Sequence, residues 1–140
     1  MTQNSIGILV QGAITDWTEK AIRKYQENFP NAEILCSTWK SQNIENIPCK
    51  VLQLDEPKKF PQDAHINHVR IGALEGLKKI IADLIMKCRT DQIIENKHKF
   101  ELFEKSNSRT KIMIPNFGTF DNIDYCASDI CQISTREKLL

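Results

Sequence analysis

Short apolar runs alternate with longer amphipathic segments along this chain. The runs are rich in Ile, Leu and Val and are bounded by glycine, proline or polar residues, which is typical of buried β-strands. They predict strands at residues 6–10, 33–37, 50–54, 83–88 and 110–114.

The segments between the runs have helical periodicity. Helices are predicted at 15–31, 65–81 and 96–105. Thr15 or Asp16 could cap the first helix, with Glu19 completing a capping box. The second helix repeats apolar residues on one predicted face, and its two glycines, Gly72 and Gly76, indicate close packing against a neighbour. The predicted face consists of Ile66, Val69, Ala73, Leu77 and Ile80.

Strands separated by helices imply βαβ units and a mainly parallel sheet. The predicted fold class is therefore α/β, a Rossmann-like fold with a mostly parallel sheet, and residues 1–140 form one domain. An α+β domain with an antiparallel edge is the competing class. The strand at 110–114 is the best candidate to run antiparallel, because no long helix clearly precedes it.

Composition narrows the function classes. The net charge is +1, from 19 basic and 18 acidic residues, which gives no electrostatic case for nucleic acid or an anionic membrane surface. The five cysteines include no CxxC pair, which argues against a disulfide scaffold or a thiolate zinc site and favours reduced thiols in a cytoplasm. No signal peptide and no transmembrane segment are predicted.

Three predicted strands end in polar residues that carry candidate chemistry. These ends are Gln11-Gly12, Ser37-Thr38-Trp39 and Lys87-Cys88-Arg89-Thr90-Asp91. Ligands of open α/β sheets lie beyond the carboxyl ends of the strands, so the three ends are expected to meet at one site. The set suits a nucleotide diphosphate: Trp39 could stack on a ring, Lys87 and Arg89 could neutralise phosphate, and Asp91 could hold a divalent cation.

Plainer interpretations stay open for each of these residues. Polar residues after a strand are common in any loop, Trp39 could be a core residue, and Gly12 could be a turn glycine. No phosphate-binding glycine motif is present. His65 and His68 are three residues apart, which permits metal binding, but a capping or surface role is favoured because no third ligand is near.

Four segments in order resemble the WavE lipopolysaccharide-synthesis family. They are ILVQGAI, AIRKYQENFPNAEILCSTWK, NHVRIGALEGLKK and LIMKCRTDQ. The family pattern has a strand ending V-Q-G-P-I, a helix leading to F-P-x-A-x-I-I-x-S-T-W, an N-x-x-R-Q helix and a strand ending K-x-R-[ST]-D. A segment S-D-W-x-x-x-G follows.

The resemblance implies a nucleotide-diphospho-sugar transferase fold of the GT-A type. It implies a glycosyltransferase that uses a nucleotide-sugar donor and a glycan or lipid-linked acceptor, in lipopolysaccharide or capsular polysaccharide biosynthesis. It implies a cytoplasmic protein or one peripheral to the inner membrane. A divalent cation, Mn²⁺ or Mg²⁺, would bind at Asp91. The expected donor-binding residues are Gln11, Gly12, Thr38, Trp39, Asn67, Arg70, Lys87, Arg89 and Asp91. No catalytic residue is assigned.

Three departures from the family pattern matter. Arg89 stands where the first Asp of an Asp-x-Asp motif would be, so metal dependence is in question and the guanidinium offers a substitute charge. Ala13 replaces a proline. Ser128-Asp129 matches the last motif, but Ile130 replaces its Trp and its Gly is not retained.

The chain is also shorter than family members and ends as it enters a predicted helix. We expect the acceptor-binding half to be absent, through truncation of the gene product, a split into two chains, or artificial shortening. A second chain that supplies this half is thus an expected partner. The alternative function is a non-catalytic module that binds a nucleotide or a partner chain.

The strand end at 87–91 gives the sharpest structural expectation. Asp91 should place its carboxylate in an open cleft, Arg89 should point into that cleft beside it, and Cys88 should be buried on the opposite face by strand alternation.

Overall fold

The computed structural model describes residues 3–59, 65–106, 109–115 and 129–140. They form a five-stranded sheet in the order β3-β2-β1-β4-β5. The first four strands run parallel to their neighbours, and β5 runs antiparallel to β4. The strands are β1 (Ile6–Gln11), β2 (Glu33–Trp39), β3 (Lys50–Leu54), β4 (Leu84–Arg89) and β5 (Cys131–Thr135).

Helices cover both faces of the sheet. Helices α1 (Thr18–Asn28) and α3 (Lys99–Lys105) pack on one face, and α2 (Ile66–Lys79) packs on the other, as does the short α4 (Arg136–Leu139). Alternating side chains of the strands supply the two cores, because successive residues of a strand point to opposite faces. Ile8, Val10 and Met86 belong to the α1 side, and Leu9, Leu35 and Ile85 to the α2 side.

This architecture confirms the predicted Rossmann-like α/β class with a mostly parallel sheet. The strand at the antiparallel edge was predicted in the wrong segment. Residues 110–114 form no strand and contribute one isolated antiparallel bridge, in which Met113 and Ile133 exchange backbone hydrogen bonds of 2.8 and 2.9 Å. The fifth strand is β5, where buried Cys131 and Ile133 are two residues apart on the α1 face.

The helices differ from prediction in two ways. Helix α1 begins at Thr18, and its N-cap residue Trp17 makes no side-chain capping bond, so the predicted box of Asp16 and Glu19 does not form. Instead Thr15 N–H donates to Thr18 Oγ1 at 2.9 Å.

The buried face of α2 was also predicted only in part. Ile66 is 62% exposed, whereas Gly72 and Gly76 are buried with Leu77. The glycines are buried because the helix backbone approaches the sheet: a Cβ added at Gly76 would lie 2.5 Å from Leu9 Cδ1.

Two further expectations have a structural outcome. Cys36, Cys49, Cys88 and Cys131 are free thiols, while Cys126 lies outside the described residues. Within the described residues, no helix has the length and apolar character needed to cross a bilayer.

Candidate functional site

A cleft of about 440 Å³ opens at the carboxyl edge of the sheet, between β1 and β4. The chain leaves β1 for α1 and β2 on one side, and it reaches β4 through α2 on the other side. The order of strands reverses here, which makes this crevice the usual ligand position in open α/β sheets. We call it the strand-end cleft. It is lined by Gln11, Gly12, Ala13, Thr15, Trp39, Glu56, His65, His68, Val69, Arg89, Thr90, Asp91 and Asp129.

Thr90 connects the backbone segments at the base of the strand-end cleft. Its N–H donates to Gln11 O at 3.2 Å, and its hydroxyl donates to Ala13 O. Its own carbonyl accepts a 2.9 Å hydrogen bond from Thr18 Oγ1. These bonds hold the loop after β1 and the start of α1 against the end of β4.

Gly12 permits this close approach. Its φ is +132°, a conformation that L side chains rarely adopt, and an added Cβ would lie 2.8 Å from Thr90 Oγ1. The turn after β1 therefore requires glycine for two reasons, its backbone conformation and its distance from Thr90.

Arg89 and Asp91 form a bidentate ion pair at the mouth of β4. Arg89 Nε donates to Asp91 Oδ1 at 2.9 Å and Nη2 donates to Oδ2 at 2.6 Å. Each side chain keeps 39% of its surface exposed. These hydrogen bonds lower the pKa of Asp91 and raise that of Arg89, so both groups are charged at neutral pH.

A second carboxylate lies on the other side of the same guanidinium. Asp129 Oδ2 is 3.7 Å from Arg89 Nη1, which is an ion pair but longer than a hydrogen bond. Lys87 lies two residues before Arg89 in β4 and is 6% exposed. Burial lowers the pKa of Lys87, and the charge of Asp129 opposes this by raising it. Two cations and two carboxylates thus offset each other at this strand end.

Helix α2 and the end of β2 form the opposite wall. The Trp39 and His68 rings meet edge to face, with centroids 5.2 Å apart. His68 Nε2 lies 3.2 Å from Glu56 Oε1, and its buried Nδ1 has no hydrogen-bond partner among the described residues. His65, at the N-cap position of α2, stacks edge to face on His68 at 5.0 Å.

Five of the nine predicted donor-binding residues line the strand-end cleft. They are Gln11, Gly12, Trp39, Arg89 and Asp91. Asp91 and Arg89 lie where they were expected, and Cys88 is buried in the core on the α1 side, as alternation predicted. Burial also raises the pKa of the Cys88 thiol.

Four predicted residues are not part of the lining. Thr38 is fully buried. It precedes Trp39 in an extended strand, so its side chain points to the opposite face of the sheet, away from the cleft. Lys87 is buried between Leu9 and Gln132 of the neighbouring strands. Asn67 and Arg70 are on α2, and the Asn67 amide lies 3.4 Å from Lys58 O.

Burial also limits what Trp39 can do. Its ring is 2% exposed, with its Cη2 near Gly72, so a stacking contact with a base would require the ring to move.

Several lining residues were not predicted as binding residues. They are Ala13, Thr15, Glu56, His65, His68, Val69, Thr90 and Asp129. Thr90 and Asp129 lie in recognised motifs, and Glu56 follows β3 as the other candidates follow their strands. For His68 the favoured surface or capping role is wrong, because the ring is buried against Trp39.

A divalent cation in the strand-end cleft would need a suitable set of ligands. Mn²⁺ and Mg²⁺ prefer several oxygen ligands, commonly carboxylates. Both oxygens of Asp91 already accept hydrogen bonds from Arg89, and in the described part of the chain no three carboxylate, imidazole or thiolate groups converge. The described residues therefore fit such a cation poorly.

Fold and cleft together define a class: an α/β protein with a charged cleft at the switch point of a mostly parallel sheet. The chain belongs to the WavE lipopolysaccharide synthesis family, whose model matches residues 6–140. This confirms the family suggested by the motifs. No curated protein matches the chain.

Solved structures share the fold at low sequence identity. One is 4-diphosphocytidyl-2C-methyl-D-erythritol synthase from Anaerococcus prevotii DSM 20548, with a TM-score of 0.59 and 11% identity, covering 95% of this chain and 70% of that one. Another is HddC from Yersinia pseudotuberculosis, with a TM-score of 0.51 and 10% identity, covering 96% and 78%.

Proposed function

We propose that this chain is the donor-binding portion of a glycosyltransferase of the GT-A type. It would take a sugar from a nucleotide-sugar donor and act in lipopolysaccharide or capsular polysaccharide biosynthesis. Membership of the WavE family supports the pathway, and the similarity to the two solved structures supports the fold. The protein would act in the cytoplasm or at the periphery of the inner membrane. Its acceptor would be a glycan or a lipid-linked molecule, and a second chain would carry the acceptor site.

The single observation that carries the proposal is the Arg89–Asp91 pair in the strand-end cleft. A paired guanidinium at the carboxyl edge of a parallel sheet is suited to a diphosphate, because its planar fork matches two oxygens at once. The backbone of Gly12 and the side chain of Gln11 would contact the nucleotide across the crevice. Transfer is displacement at the anomeric carbon, and this cleft would stabilise the departing nucleoside diphosphate.

The predicted roles of the residues outside the lining stay proposals. Asn67 and Arg70, near the start of α2, would reach the ribose or the diphosphate. Thr38 would flank the base or ribose together with Trp39. Lys87 would act on the diphosphate through its charge, from beneath the strand-end cleft.

Calorimetry tests the donor site. We expect the folded protein to bind at least one member of a panel of UDP, GDP, CMP and ADP sugars. Asp91→Asn should weaken this binding by roughly 1–3 kcal/mol, the scale for losing a charged hydrogen-bonding group. The matched control is Asp55→Asn, because Asp55 is 89% exposed, pairs with Lys40 and lies outside the cleft lining. If the folded protein bound none of the sugar nucleotides, the donor-site assignment would be wrong. If it bound one but transferred no sugar when acceptor and any partner chain were supplied, a non-catalytic module would be favoured.

A further inference from the structure

Within the described residues, one edge of the Arg89 guanidinium has no partner at hydrogen-bond distance. An arginine side chain has five N–H donors in a rigid fork. Asp91 accepts from Nε and from one hydrogen of Nη2. The two hydrogens of Nη1 and the second hydrogen of Nη2 remain, and they form the edge that matches a phosphate in a bidentate contact.

This edge belongs to the strand-end cleft. Arg89 lines the cleft, and its Nη1 points toward Asp129, another lining residue, at 3.7 Å. That distance is longer than an ordinary hydrogen bond, so Asp129 attracts the guanidinium mainly through its charge. An anion in the cleft could therefore bind Arg89 while the Arg89–Asp91 hydrogen bonds stay intact.

Asp91, in contrast, already has both carboxylate oxygens engaged by a cationic side chain. Its two oxygens are occupied by Arg89, at 2.9 and 2.6 Å. A cation on Asp91 would have to share the carboxylate with a guanidinium held by two charge-assisted bonds, and the two positive charges would repel each other.

We propose that Arg89, oriented by Asp91, supplies the counter-charge to the donor diphosphate in place of a divalent cation. Asp91 is then a positioning residue, which acts through Arg89 and does not touch the diphosphate through a metal. The proposal rests on the proposed function for the presence of a diphosphate ligand. It opposes the expectation from the family resemblance that a cation binds at Asp91, and one titration series distinguishes the two.

The experiment measures Kd by calorimetry in EDTA and in Mn²⁺, for the nucleoside diphosphate of the best-binding sugar nucleotide and for inorganic pyrophosphate. The wild-type Kd should agree within about twofold between the two buffers. Arg89→Ala should weaken binding about 10-fold to 100-fold in both, the range for losing a charge-assisted contact. Arg89→Lys should recover part of the loss, because lysine keeps the charge without the fork.

A double-variant cycle tests the positioning role of Asp91. Asp91→Asn alone should weaken binding about 10-fold in both buffers, by loosening the guanidinium. In the Arg89→Ala background the same change should have almost no effect, because the residue through which it acts is gone. A metal ligand at Asp91 would give the opposite: binding in Mn²⁺ at least about 10-fold tighter than in EDTA, and an Asp91→Asn effect that persists without Arg89.

Controls separate this result from misfolding and from failure of the proposed function. Arg23→Ala removes an exposed arginine paired with Glu19 on α1, so it should leave both titrations unchanged. Every variant is compared by circular dichroism and thermal melting. Binding that requires Mn²⁺ overturns the inference and keeps the proposed function. Arg89-dependent binding of pyrophosphate without nucleotide binding keeps the Arg89 site and removes the donor assignment. Binding of neither ligand removes both.

Discussion

At the residue scale, a few polar contacts decide the shape of the strand-end cleft. Thr90 lies at the centre of them: it is 3% exposed and bonds to the loop after β1 and to α1 through its N–H, hydroxyl and carbonyl. The side-chain hydroxyl is the one group of the three that a substitution can remove. Gly12 lies so close that a Cβ added to it would be 2.8 Å from Thr90 Oγ1.

Replacing Thr90 by valine should lower the free energy of unfolding by about 1–3 kcal/mol. The change keeps the shape of the side chain but leaves the Ala13 carbonyl without the hydroxyl donor. Urea denaturation measures the change. Thr90→Ser is the matched control, since it keeps the hydroxyl and should lose less than the valine variant. Equal stability of the valine variant and wild type would mean that the hydrogen bond from the Thr90 hydroxyl to Ala13 O does not stabilise the fold.

The element scale is best illustrated by α2. This helix carries one wall of the cleft at its start and packs on β1 and β2 along its length. Its two buried glycines bring its backbone close to the sheet, with Gly72 near Gln11 and Trp39 and Gly76 against Leu9. The position of the cleft wall that carries His65 and His68 thus depends on the absence of side chains at Gly72 and Gly76.

Gly76→Ala should be destabilising despite the higher helix propensity of alanine. The propensity gain is about 1 kcal/mol, and overpacking a core costs about 1–3 kcal/mol, so a net loss of up to about 2 kcal/mol is expected. Leu9 is fully buried and cannot easily move away from the new Cβ. In a Leu9→Ala background the clash is removed, and Gly76→Ala should become stabilising. Chemical denaturation of the four proteins measures this reversal; stabilisation in both backgrounds would contradict the close packing.

At the scale of the whole molecule, the buried charge of Lys87 links stability to pH. Burial is the main cause that lowers the pKa of Lys87 in the folded protein, partly opposed by Asp129. In the unfolded chain the pKa is about 10.4, so the unfolded state holds the proton more tightly. The free energy of unfolding therefore rises as pH rises between the Lys87 pKa of the folded state and that of the unfolded state. Below this pH interval the full cost of burying the charge is present.

Lys87→Met should raise the free energy of unfolding at pH 7 by about 1 kcal/mol or more, because it removes the desolvation cost of a buried charge that forms no ion pair with the described residues. The difference from wild type should narrow as pH rises through the lowered pKa of Lys87 in the folded protein, where the buried lysine loses its proton. Denaturation at several pH values measures the difference. Lys78→Met is the control, because Lys78 is 51% exposed and pairs with Glu75. A less stable methionine variant at pH 7 would contradict this, because it would mean that Asp129 more than offsets the burial cost of Lys87.

The amino-acid sequence by itself determined the class of the fold and one side of the candidate site. Apolar runs and helical spacing are local patterns, so β1 to β4 and three helices could be predicted close to their observed bounds. Parallel strands place their carboxyl ends together, which brings Gln11, Arg89 and Asp91 to one cleft. Period-2 alternation also placed Cys88 in the core.

Only the tertiary structure decided which segment became β5, which predicted residues are buried, and what forms the second wall of the cleft. Residues 110–114 are as apolar as β5, and the choice between them depends on pairing with β4, which is distant in the chain. Lys87 and Thr38 are buried by neighbouring strands and helices that no local pattern reveals. His68 meets Trp39 because α2 approaches β2 across about thirty residues of sequence. Local periodicity specifies elements, whereas burial and side-chain convergence arise from contacts between elements, and these exist only in the folded chain.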